Sequence, residues 1–581
     1  MMGKSVNIRS CILPVLLSVG SSFLLCACNP QPETPTSQTT SQSENETLKL
    51  LYWQAPTILN PHLSTGFKDS EASRITLEPL ASYDNKGQLI LFLAAEIPSV
   101  ENGGIAKDGK SVIWKLKQGI KWSDGTPFTA ADVVFTHQFI ANPKVGATSG
   151  NSYLNVEKVE ALDDYTVKVI FKQPTPSWDI PFVGGAGMIL PRHLYEKYNG
   201  ENARQAPNNL IAVGTGPYKV VDFKPGDVVV FEANSYFREA DKLGFKRIEL
   251  KGGGDATSAA RAVLETGDAD YAYNLQVEVP VLKQLEAAGK GKLNSVFGGN
   301  SERILINLSD PNKATTEGER SSLQFPHPLF KDPKVREAFT LAVDRDTVAQ
   351  QLYGITGKAT PNVLVSPPEY NSPNTKYEFN LEKAAKLLDE AGWKDSNNNG
   401  IRDKDGVEMQ ILFQTSVNPL RQKTQEIIKQ SLQQIGVGVE LKSIDASIFF
   451  SSDPSNNDTV ERFYADFQMF TSGNLNPDPS TYMSNFTCQS IPQKANNWSG
   501  NNYARYCNPE YDKLWKEATQ ELDAKKRQEL FIKMNDLLVN NFVLIPLVHR
   551  ADVAGISNRL QGFELTPWDF NTWKIKDWKK S

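Results

Sequence analysis

KDGKSVIWKLKQGIKWSDGTPFTAADVVFT, residues 107–136, holds a clear succession of secondary-structure signals. Apolar and polar residues alternate from Ser111 to Trp122, which predicts a half-buried β-strand. The following SDGTPF has the composition of a turn. Thr129 then stands at the N-cap of a predicted helix, and Asp132 occupies the capping-box position. The succession predicts a domain that mixes α and β structure.

The rest of the chain from Thr47 alternates between strand-like and helix-like segments, with no visible internal repeat. Strands are predicted at 163–171, 226–237 and 247–251. Helices are predicted at 257–267, where Gly267 ends the helix, at 381–393, at 420–436, and at 523–541, where Leu530, Met534, Leu537 and Leu538 share one face. A chain of 581 residues is too long for one core, so a mixed α/β (α+β) fold of about three or four domains is expected.

Composition and charge exclude some classes of function. The net charge is −5 in 581 residues, which gives no case for nucleic-acid binding. The five His residues stand far apart, and no HExxH, GxSxG or GxxxxGKS/T motif occurs. The sequence therefore predicts no metal site, no cofactor and no enzymatic activity. An extracytoplasmic hydrolase is the alternative, although no nucleophile–base pair stands out.

Residues 1–27 have the pattern of a signal peptide. Lys4 and Arg9 precede an apolar run that ends at Ala27, which is a basic n-region followed by an h-region. The run is short and interrupted for a transmembrane helix, which needs about 20 apolar residues. A buried helix is the alternative. Residues 28–47 are rich in Pro, Ser, Thr and Gln without an apolar period, so a disordered tether is expected there.

The apolar run ends in two cysteines, Cys26 and Cys28. Leu25-Cys26-Ala27-Cys28 resembles the bacterial lipobox, which implies that Cys28 carries a diacylglycerol and becomes the mature N-terminus. Several acyl chains on one Cys give a stable membrane anchor, so the protein is expected on the periplasmic side of the cytoplasmic membrane, in the cell envelope. A metal or redox pair is the alternative, but no partner Cys or His lies nearby.

Cys488 and Cys507 are the other cysteines of the expected export product. In an oxidising compartment they suggest a disulfide, and two free buried thiols are the alternative. Closing a loop of about 20 residues contributes roughly 3 kcal/mol to stability on the chain-entropy model.

Residues 107–136 resemble the family 5 extracellular solute-binding proteins, the oligopeptide- and dipeptide-binding proteins of ABC importers. The family has a strand of the form W-x-F/L-x-L-R-x-G-V-K-F, followed by H-D-G-x-P-F-T-A-x-D-V-V-F; here Lys117 replaces the Arg and Ser123 the His. Four further blocks agree in the same order, at 55–63, 213–223, 328–348 and 501–514. The last resembles the block that carries a disulfide Cys in dipeptide binders, which supports a Cys488–Cys507 pair.

The resemblance covers residues 48 to about 575 and implies a monomeric, non-catalytic protein that binds a solute between two closing lobes. Peptides are the implied ligands, and an ABC permease and ATPase complex is the implied partner. The implied domains are a discontinuous first lobe (48–85, 206–310 and 541–581), an extra domain (86–205) and a second lobe (311–540). The alternatives are a binding protein for an oligosaccharide, an opine or a nickel complex, and a ligand sensor.

In peptide-binding members an Asp in the second lobe, in a W-x-x-D-x-x-x-P context, holds the amino terminus of the peptide. The matching stretch is FQMFTSGNLNPDPSTY, with Phe470 near the Trp and Asn474 near the Asp. Asn474 cannot neutralise an ammonium, so the chain departs from the family where a free amino terminus would bind. Asp478 is a candidate substitute, with a helix N-cap or turn as the alternative.

The opening Glu of the family, which lines the cleft, corresponds to Gln54 or Ala55. With two acidic anchors missing or neutral, the resemblance implies a blocked or long peptide, or a neutral small molecule. Tyr271 and Tyr273 follow a short predicted helix, where the family places ligand-facing residues; ordinary strand packing is the alternative. Trp53 is a further ligand-binding candidate.

DSNNNGIRDKDG, residues 395–406, resembles the calcium loop of an EF-hand. Acidic and amide residues occupy several ligand positions, but position 12 is Gly406, where a bidentate Glu is needed. A surface turn rich in Asp and Asn is therefore favoured.

Overall fold

A computed structural model describes residues 46–451, 453 and 455–581; the predicted signal peptide, Cys28 and most of the predicted tether lie outside this part. The strands are β1 (Thr47–Tyr52), β2 (Ala81–Tyr83), β3 (Leu89–Leu91), β4 (Ser111–Lys115), β5 (Val156–Asp163), β6 (Thr166–Phe171), β7 (Tyr218–Lys224), β8 (Val228–Ala233), β9 (Arg247–Gly252), β10 (Tyr271–Ala272), β11 (Gly291–Ile306), β12 (Gly357–Ala359), β13 (Asp403–Lys404), β14 (Val407–Glu408), β15 (Gln410–Ser416), β16 (Gly438–Ile444), β17 (Phe467–Asn474), β18 (Leu544–Ser557), β19 (Leu560–Gln561) and β20 (Lys579–Lys580).

The α-helices of the described part are α1 (Phe67–Ser73), α2 (Ala130–Ala141), α3 (Arg192–Tyr195), α4 (Ala256–Arg261), α5 (Val279–Glu286), α6 (Pro333–Leu341), α7 (Arg345–Val348), α8 (Leu381–Glu390), α9 (Pro419–Gln434), α10 (Ala446–Phe449), α11 (Ser480–Ser484), α12 (Pro509–Ala518) and α13 (Ala524–Asn540). Within the same part, no helix has the combined length and hydropathy of a membrane span. The predicted mixed α and β fold is confirmed.

The region of residues 107–136 forms a strand, turn and helix, as the sequence predicts. β4 is shorter than predicted and ends at Lys115, because the chain turns through Gly119 in the left-handed region (φ +74°). α2 begins with a complete capping box, in which Thr129 and Asp132 each bond to the other's backbone. β4 belongs to a three-stranded sheet of order β4-β6-β5, and the residue predicted to start β6, Asp163, instead ends β5.

The largest sheet of the described part has the order β16-β15-β17-β11-β18-β10-β1-β9-β8-β7, with β12 also paired to β18. β11 and β18 run antiparallel through its middle, and their register shifts between Phe297 and Ser301. We call β1, β7, β8, β9 and β10, with the ends of β11 and β18 on their side of this shift, the first half-sheet. The second half-sheet consists of β12, β15, β16 and β17 with the opposite ends of β11 and β18.

Each half-sheet packs against its own apolar cluster. In the first, Leu48 and Leu50 of β1 are fully buried, as the alternating pattern of the strand requires. In the second, the rings of Phe330, Phe339 and Phe467 pack on one another with centroid separations of 5.1–5.5 Å. The half-sheets therefore have separate cores, and among the strands of the described residues only β11 and β18 run continuously through both.

α13 covers the second half-sheet with a face slightly different from the predicted one. Phe531, Met534 and Leu538 are fully buried, whereas Leu530 and Leu537 are only partly buried at the edges of the face. The spacing of apolar residues gave the helix correctly, and the large Phe531 side chain sets the centre of its contact.

Candidate functional site

Two cavities lie near the register shift between the half-sheets. Their volumes are about 240 and 210 Å³. Six residues line both cavities: Thr65, Gly66, Phe67, Gly473, Asn485 and Asn501. The cavities are therefore neighbouring compartments of one cleft. We call the larger one the neutral cavity and the smaller one the charged cavity, after the side chains that line them.

Gly473, on β17, lies at the boundary between the two cavities. β17 and β11 approach so closely here that a Cβ on Gly473 would lie 2.3 Å from the carbonyl oxygen of Gly299 and 2.7 Å from the nitrogen of Asn300. Only a residue without a side chain fits this contact. Backbone atoms therefore form the surface of the cleft at this point.

β17 also offers a free strand edge to the cleft. β15 pairs with residues 467–469 only, whereas β11 pairs with β17 as far as Asn474. Thr471, Ser472 and Gly473 have no partner in β15, and all three line the charged cavity. An extended ligand can therefore pair with this edge as an added strand.

The opposite wall of the cleft is the loop that precedes α1, and it touches the far side directly. Thr65 Oγ1 donates a hydrogen bond to the carbonyl oxygen of Phe450 at 3.0 Å. Nearby, Asn151 Nδ2 donates to Asn485 Oδ1 at 2.9 Å. The contacts that close the cleft here are thus made by neutral hydroxyl and amide groups.

The neutral cavity is lined mainly by hydroxyl, amide and aromatic side chains. Asp569 is the one carboxylate among its described lining residues. Its Oδ2 atom lies 3.2 Å from Arg74 Nη2 and accepts a hydrogen bond from Ser82 Oγ at 2.6 Å. This carboxylate is already paired and buried, so the cavity offers a ligand no free charge.

Asn474 lines the neutral cavity at the end of β17. Its Nδ2 atom donates to the carbonyl oxygens of Asn476 at 2.5 Å and of Ser366 at 3.3 Å, and its Oδ1 atom accepts from the Asn476 nitrogen at 3.3 Å. The side chain fixes the turn after β17 and supplies no charge to the cavity.

The charged cavity has four cationic side chains in its lining: Lys68, Arg303, Arg421 and Arg550. Three of them have carboxylate partners, in the pairs Lys68–Asp69 (2.8 Å), Arg421–Glu302 (2.8 Å) and Arg550–Asp552 (3.5 Å). Burial raises the pKa of Asp552 above its ordinary value. The charge of Arg550 and the hydrogen bond from Asn300 offset part of this shift. The remaining cation, Arg303 on β11, contacts aromatic side chains instead.

Four of the seven predicted ligand-binding residues line the cleft. Asn474 lines the neutral cavity, and Gln54, Phe470 and Tyr273 line the charged cavity. Their role in ligand binding remains a prediction. Arg303, Arg550 and the 65–67 loop were not predicted from the sequence. A charged residue inside an apolar strand, as in RILINL, is the signal that points to Arg303.

Tyr271 and Trp53 line neither cavity, contrary to the expectation for ligand-facing residues. Tyr271 is fully buried in the core of the first half-sheet, where its ring lies 5.5 Å from that of Trp578. Trp53 is also buried, and its Nε1 atom donates to the carbonyl oxygen of Asn274 at 2.9 Å. Alternation along a strand shows that a side chain points inward, but it does not distinguish a core from a cavity.

Asp478 also lies outside both cavities. It occupies a turn before a helix, which is the alternative that the sequence offered. One carboxylate oxygen accepts from the Ser480 nitrogen at 2.9 Å, ahead of α11. Both oxygens are bonded to the guanidinium of Arg527. A carboxylate engaged in this way cannot substitute for an ammonium anchor in the cleft.

Asp179 precedes Ile180, which lines the neutral cavity, and it is close enough to Asp478 and Arg527 to interact with their charges. Tyr83 donates its hydroxyl hydrogen to Asp179 Oδ2 at 3.0 Å. Burial, to which the Asp478 charge adds, raises the pKa of Asp179 to about 6. Keeping Asp179 ionised at neutral pH therefore costs free energy in this closed arrangement.

Cys488 and Cys507 are joined by a disulfide with a Cα–Cα distance of 4.5 Å, the pairing that the sequence predicts. The loop between them contains Asn501, which lines both cavities, and Tyr503, which lines the charged cavity. The disulfide thus fixes a segment that forms part of the cleft wall.

Residues 395–402 form turns that lead into β13, and residues 403–406 are β13 and the turn of the small β13–β14 hairpin. The carboxylate of Asp395 accepts hydrogen bonds from the nitrogens of Asn399 at 3.1 Å and Gly400 at 3.0 Å. In the described ranges, no group of three or more His, Cys, Asp and Glu side chains is arranged to hold a metal ion. The geometry of this segment is that of the favoured surface turn.

Two half-sheets with separate cores, joined by two continuous strands beside a lined cleft, define the two-lobed fold of a periplasmic binding protein. The chain belongs to the bacterial extracellular solute-binding proteins, family 5, whose model for the middle region matches residues 94–493.

Comparison with known proteins supports the same assignment. The chain is 28% identical over 531 residues to the oligopeptide-binding protein AppA of Bacillus subtilis, with 88% of each chain covered. The structure of that protein in complex with a nonapeptide matches with a TM-score of 0.78 and 25% identity, over 92% of this chain and 99% of AppA. NikZ of Campylobacter jejuni, solved in complex with Ni(L-His), shares the fold with a TM-score of 0.77 and 24% identity, over 92% of this chain and all of NikZ (100%).

Proposed function

We propose that this chain captures peptides in the cleft and delivers them to the permease of an ABC importer, anchored to the membrane by lipid on Cys28. In this proposal residues 48–85, 206–310 and 541–581 form the first lobe, residues 86–205 an extra domain and residues 311–540 the second lobe. The lobes close on the peptide by bending where β11 and β18 change register.

The observation that carries the proposal is the free edge of β17. Thr471, Ser472 and Gly473 line the cleft without a β15 partner, so their backbone is available to an extended peptide. Main-chain hydrogen bonds of this kind bind any peptide sequence, and side-chain pockets then add selectivity. AppA of Bacillus subtilis, in which a nonapeptide is bound, supports this use of the fold.

The neutral cavity supports a ligand end without an ammonium group. Asn474 replaces the expected Asp, and Asp569 is paired to Arg74. A buried ammonium without a carboxylate partner costs several kcal/mol, so a free amino terminus is disfavoured in this compartment. Peptides with a blocked amino end, or long peptides whose amino end lies elsewhere, satisfy the requirement.

The test is native mass spectrometry of the full chain, purified without unfolding and then dissociated to identify what was bound. The expected result is a population of co-purified peptides whose masses and fragment spectra define a preferred length. A sugar, an opine or a nickel complex released instead would contradict the peptide proposal. Gly438→Ala, on the outer edge strand β16, serves as a folded control that keeps the cleft unchanged.

A further inference from the structure

We propose that Arg303 binds a carboxylate of the captured ligand, so that the charged cavity selects peptides with an anionic group at this position. The inference rests on the proposed peptide-binding function and adds a chemical requirement to it. The carboxylate is either that of an Asp or Glu side chain or the carboxyl terminus of the peptide.

Arg303 is buried, with 2% of its surface exposed, yet it has no anionic partner. Among the described residues, no carboxylate oxygen lies within 4 Å of its guanidinium nitrogens; the other three cations of the cavity each have one. Three cation–carboxylate pairs and one unpaired cation leave this compartment with an excess positive charge. A buried charge of this kind costs several kcal/mol unless an ion of opposite sign joins it.

The hydrogen-bonding capacity of the Arg303 guanidinium is largely unused. Nη1 donates to the hydroxyl oxygen of Tyr482, while the buried Nε atom has no hydrogen-bond partner within the described chain. Nε and Nη2 form the side edge of a guanidinium, and that edge matches the two oxygens of a carboxylate. The Nε–Nη2 side of the Arg303 guanidinium is thus the side suited to bidentate binding.

Aromatic side chains hold the Arg303 guanidinium in place. Its central carbon lies 5.9, 5.7 and 5.4 Å from the ring centroids of Phe470, Tyr482 and Phe486. Cation–π contacts tolerate a buried guanidinium without neutralising its charge. The rings also fix its orientation before the ligand arrives, which reduces the entropy lost on binding.

Arg303 is on β11, which pairs with β17 on the side opposite its free edge, and it lies directly across from Phe470. Its side chain lines the charged cavity together with Thr471, Ser472 and Gly473. A peptide paired at the free edge of β17 therefore places its side chains, or its carboxyl end, in the cavity that contains the guanidinium. This proximity makes a carboxylate of the peptide itself the expected partner of Arg303.

The experiment measures binding of defined peptides to the full chain by titration calorimetry at pH 7. The probes are alanine- and serine-rich peptides of five and nine residues, acetylated at the amino end. One series has an amidated carboxyl end and places Glu, or Gln as its neutral counterpart, at each position in turn. The second series contains no Glu and differs only in a free carboxylate or an amide at the carboxyl end.

We expect the carboxylate member to bind at least about 30-fold more tightly than its neutral counterpart in one of the two series, because the pair forms in a buried site. The first series identifies a side-chain carboxylate and the second the carboxyl terminus. In Arg303→Gln the preference should fall below about 3-fold, and Arg303→Lys, which keeps the charge but not the fork, should retain part of it. Arg261→Gln, an exposed arginine far along the chain, removes the same charge outside the cleft and should leave the preference intact.

Equal binding of charged and neutral peptides by the unmodified chain overturns the inference, as does a preference that persists in Arg303→Gln. Either result leaves peptide capture itself standing. If the unmodified chain binds no peptide in either series while its thermal unfolding is normal, the proposed function fails, and the inference fails with it. Should Arg303→Gln not fold, the unmodified chain and Arg303→Lys still decide between these results.

Discussion

The two cavities of the cleft share a wall but differ in charge. In the neutral cavity, Asn474 faces backbone carbonyl oxygens and the carboxylate of Asp569 is already paired to Arg74. In the charged cavity, three ion pairs surround one arginine that has no carboxylate partner in the described chain. The neutral compartment recognises shape and neutral hydrogen-bonding groups, whereas the charged one requires a ligand to bring an anion.

This difference indicates how a single cleft can accept many sequences and still impose a polarity on the ligand. Backbone pairing at residues 471–473 is common to all peptides. The charge difference between the compartments then favours one direction of the peptide over the other.

The largest effect is expected from Gly473→Ala, at the boundary between the two cavities. The added Cβ would lie 2.3 Å from Gly299 O, so β11 and β17 must separate. We expect the free energy of unfolding to fall by roughly 3 kcal/mol, at the upper end of what overpacking costs. Peptide affinity, measured by calorimetry, should fall about 100-fold, equivalent to about 2.7 kcal/mol.

Gly438→Ala is the matched control for this substitution. It also adds a methyl group to a strand glycine, but the added Cβ meets only side-chain atoms of Gln410 and Ile401. Binding should stay within about 3-fold of the unmodified chain, a difference of less than 1 kcal/mol. Similar losses in both variants would show that the close approach of β11 and β17 has no special role in the cleft.

The second prediction concerns the disulfide that holds the shared wall. Replacing Cys488 and Cys507 by Ser should lower the free energy of unfolding by about 3 kcal/mol, because the unfolded chain loses a loop constraint. Chemical denaturation measures this change. Because the loop carries Asn501 and Tyr503, peptide affinity should also weaken; unchanged stability would mean that the rest of the fold fixes the loop unaided.

The third prediction adds a charge to the neutral cavity. In Asn474→Asp, a carboxylate would face the carbonyl oxygens of Ser366 and Asn476 and lose two hydrogen bonds. The ligand-free protein should be destabilised by about 2 kcal/mol, the cost of an unsatisfied buried polar group. A peptide with a free amino terminus should then bind more tightly relative to its acetylated form, as calorimetry on the pair would reveal.

An unchanged ratio between the free and acetylated peptides would place the amino end of the ligand outside the neutral cavity. The neutral cavity would then bind side chains of the peptide and not its amino end. Asn474→Ala, which removes the amide without adding charge, separates the loss of the turn from the gain of an anion.

The smallest effect is expected at the margin of the cleft, in Asp179→Asn. The partly buried carboxyl has its pKa raised to about 6, so the cost of ionising it is absent near pH 4, increases between pH 4 and 6, and is complete above pH 6. The raised pKa corresponds to roughly 3 kcal/mol at pH 7, but the carboxyl is only partly buried and Asn is a weaker acceptor for Tyr83. We therefore expect the Asn variant to be more stable than the unmodified chain by about 1 kcal/mol at pH 7 and equal to it at pH 4. Thermal unfolding at the two pH values tests this; a variant destabilised at both would show that Asp179 is needed as an acceptor for Tyr83.

Local signals in the sequence predicted the regular elements well. The capping box at Thr129 fixes the start of α2, and periodic apolar residues identify α8, α9 and α13. The end of β4 was missed because the alternation continues past the turn at Gly119. Trp122, the predicted end of the strand, lies beyond this turn. It is buried, and its Nε1 atom donates a hydrogen bond to Asp132 of α2.

The site was predicted less completely, because a cleft is formed by segments that lie far apart in the chain. Gln54, Tyr273 and Asn474 were predicted through the family resemblance, because matching a family motif assigns a residue a place in the fold as well as a residue type. Tyr271 has the same local pattern as Tyr273 but points into the core. Arg303 was not predicted, because it stands out only by the lack of a nearby carboxylate among the described residues. No local sequence pattern shows which side chains lie nearby in the fold.

Pairing of a peptide with the free edge of β17 can be detected by hydrogen exchange measured by mass spectrometry. With a peptide identified from the co-purified population, we expect slower amide exchange in segments covering 64–67 and 471–474, and little change in the outer strand β16. The peptide would be acting as an added strand between the two cavities. Tight binding without protection of residues 471–474 would show that the peptide does not pair with β17.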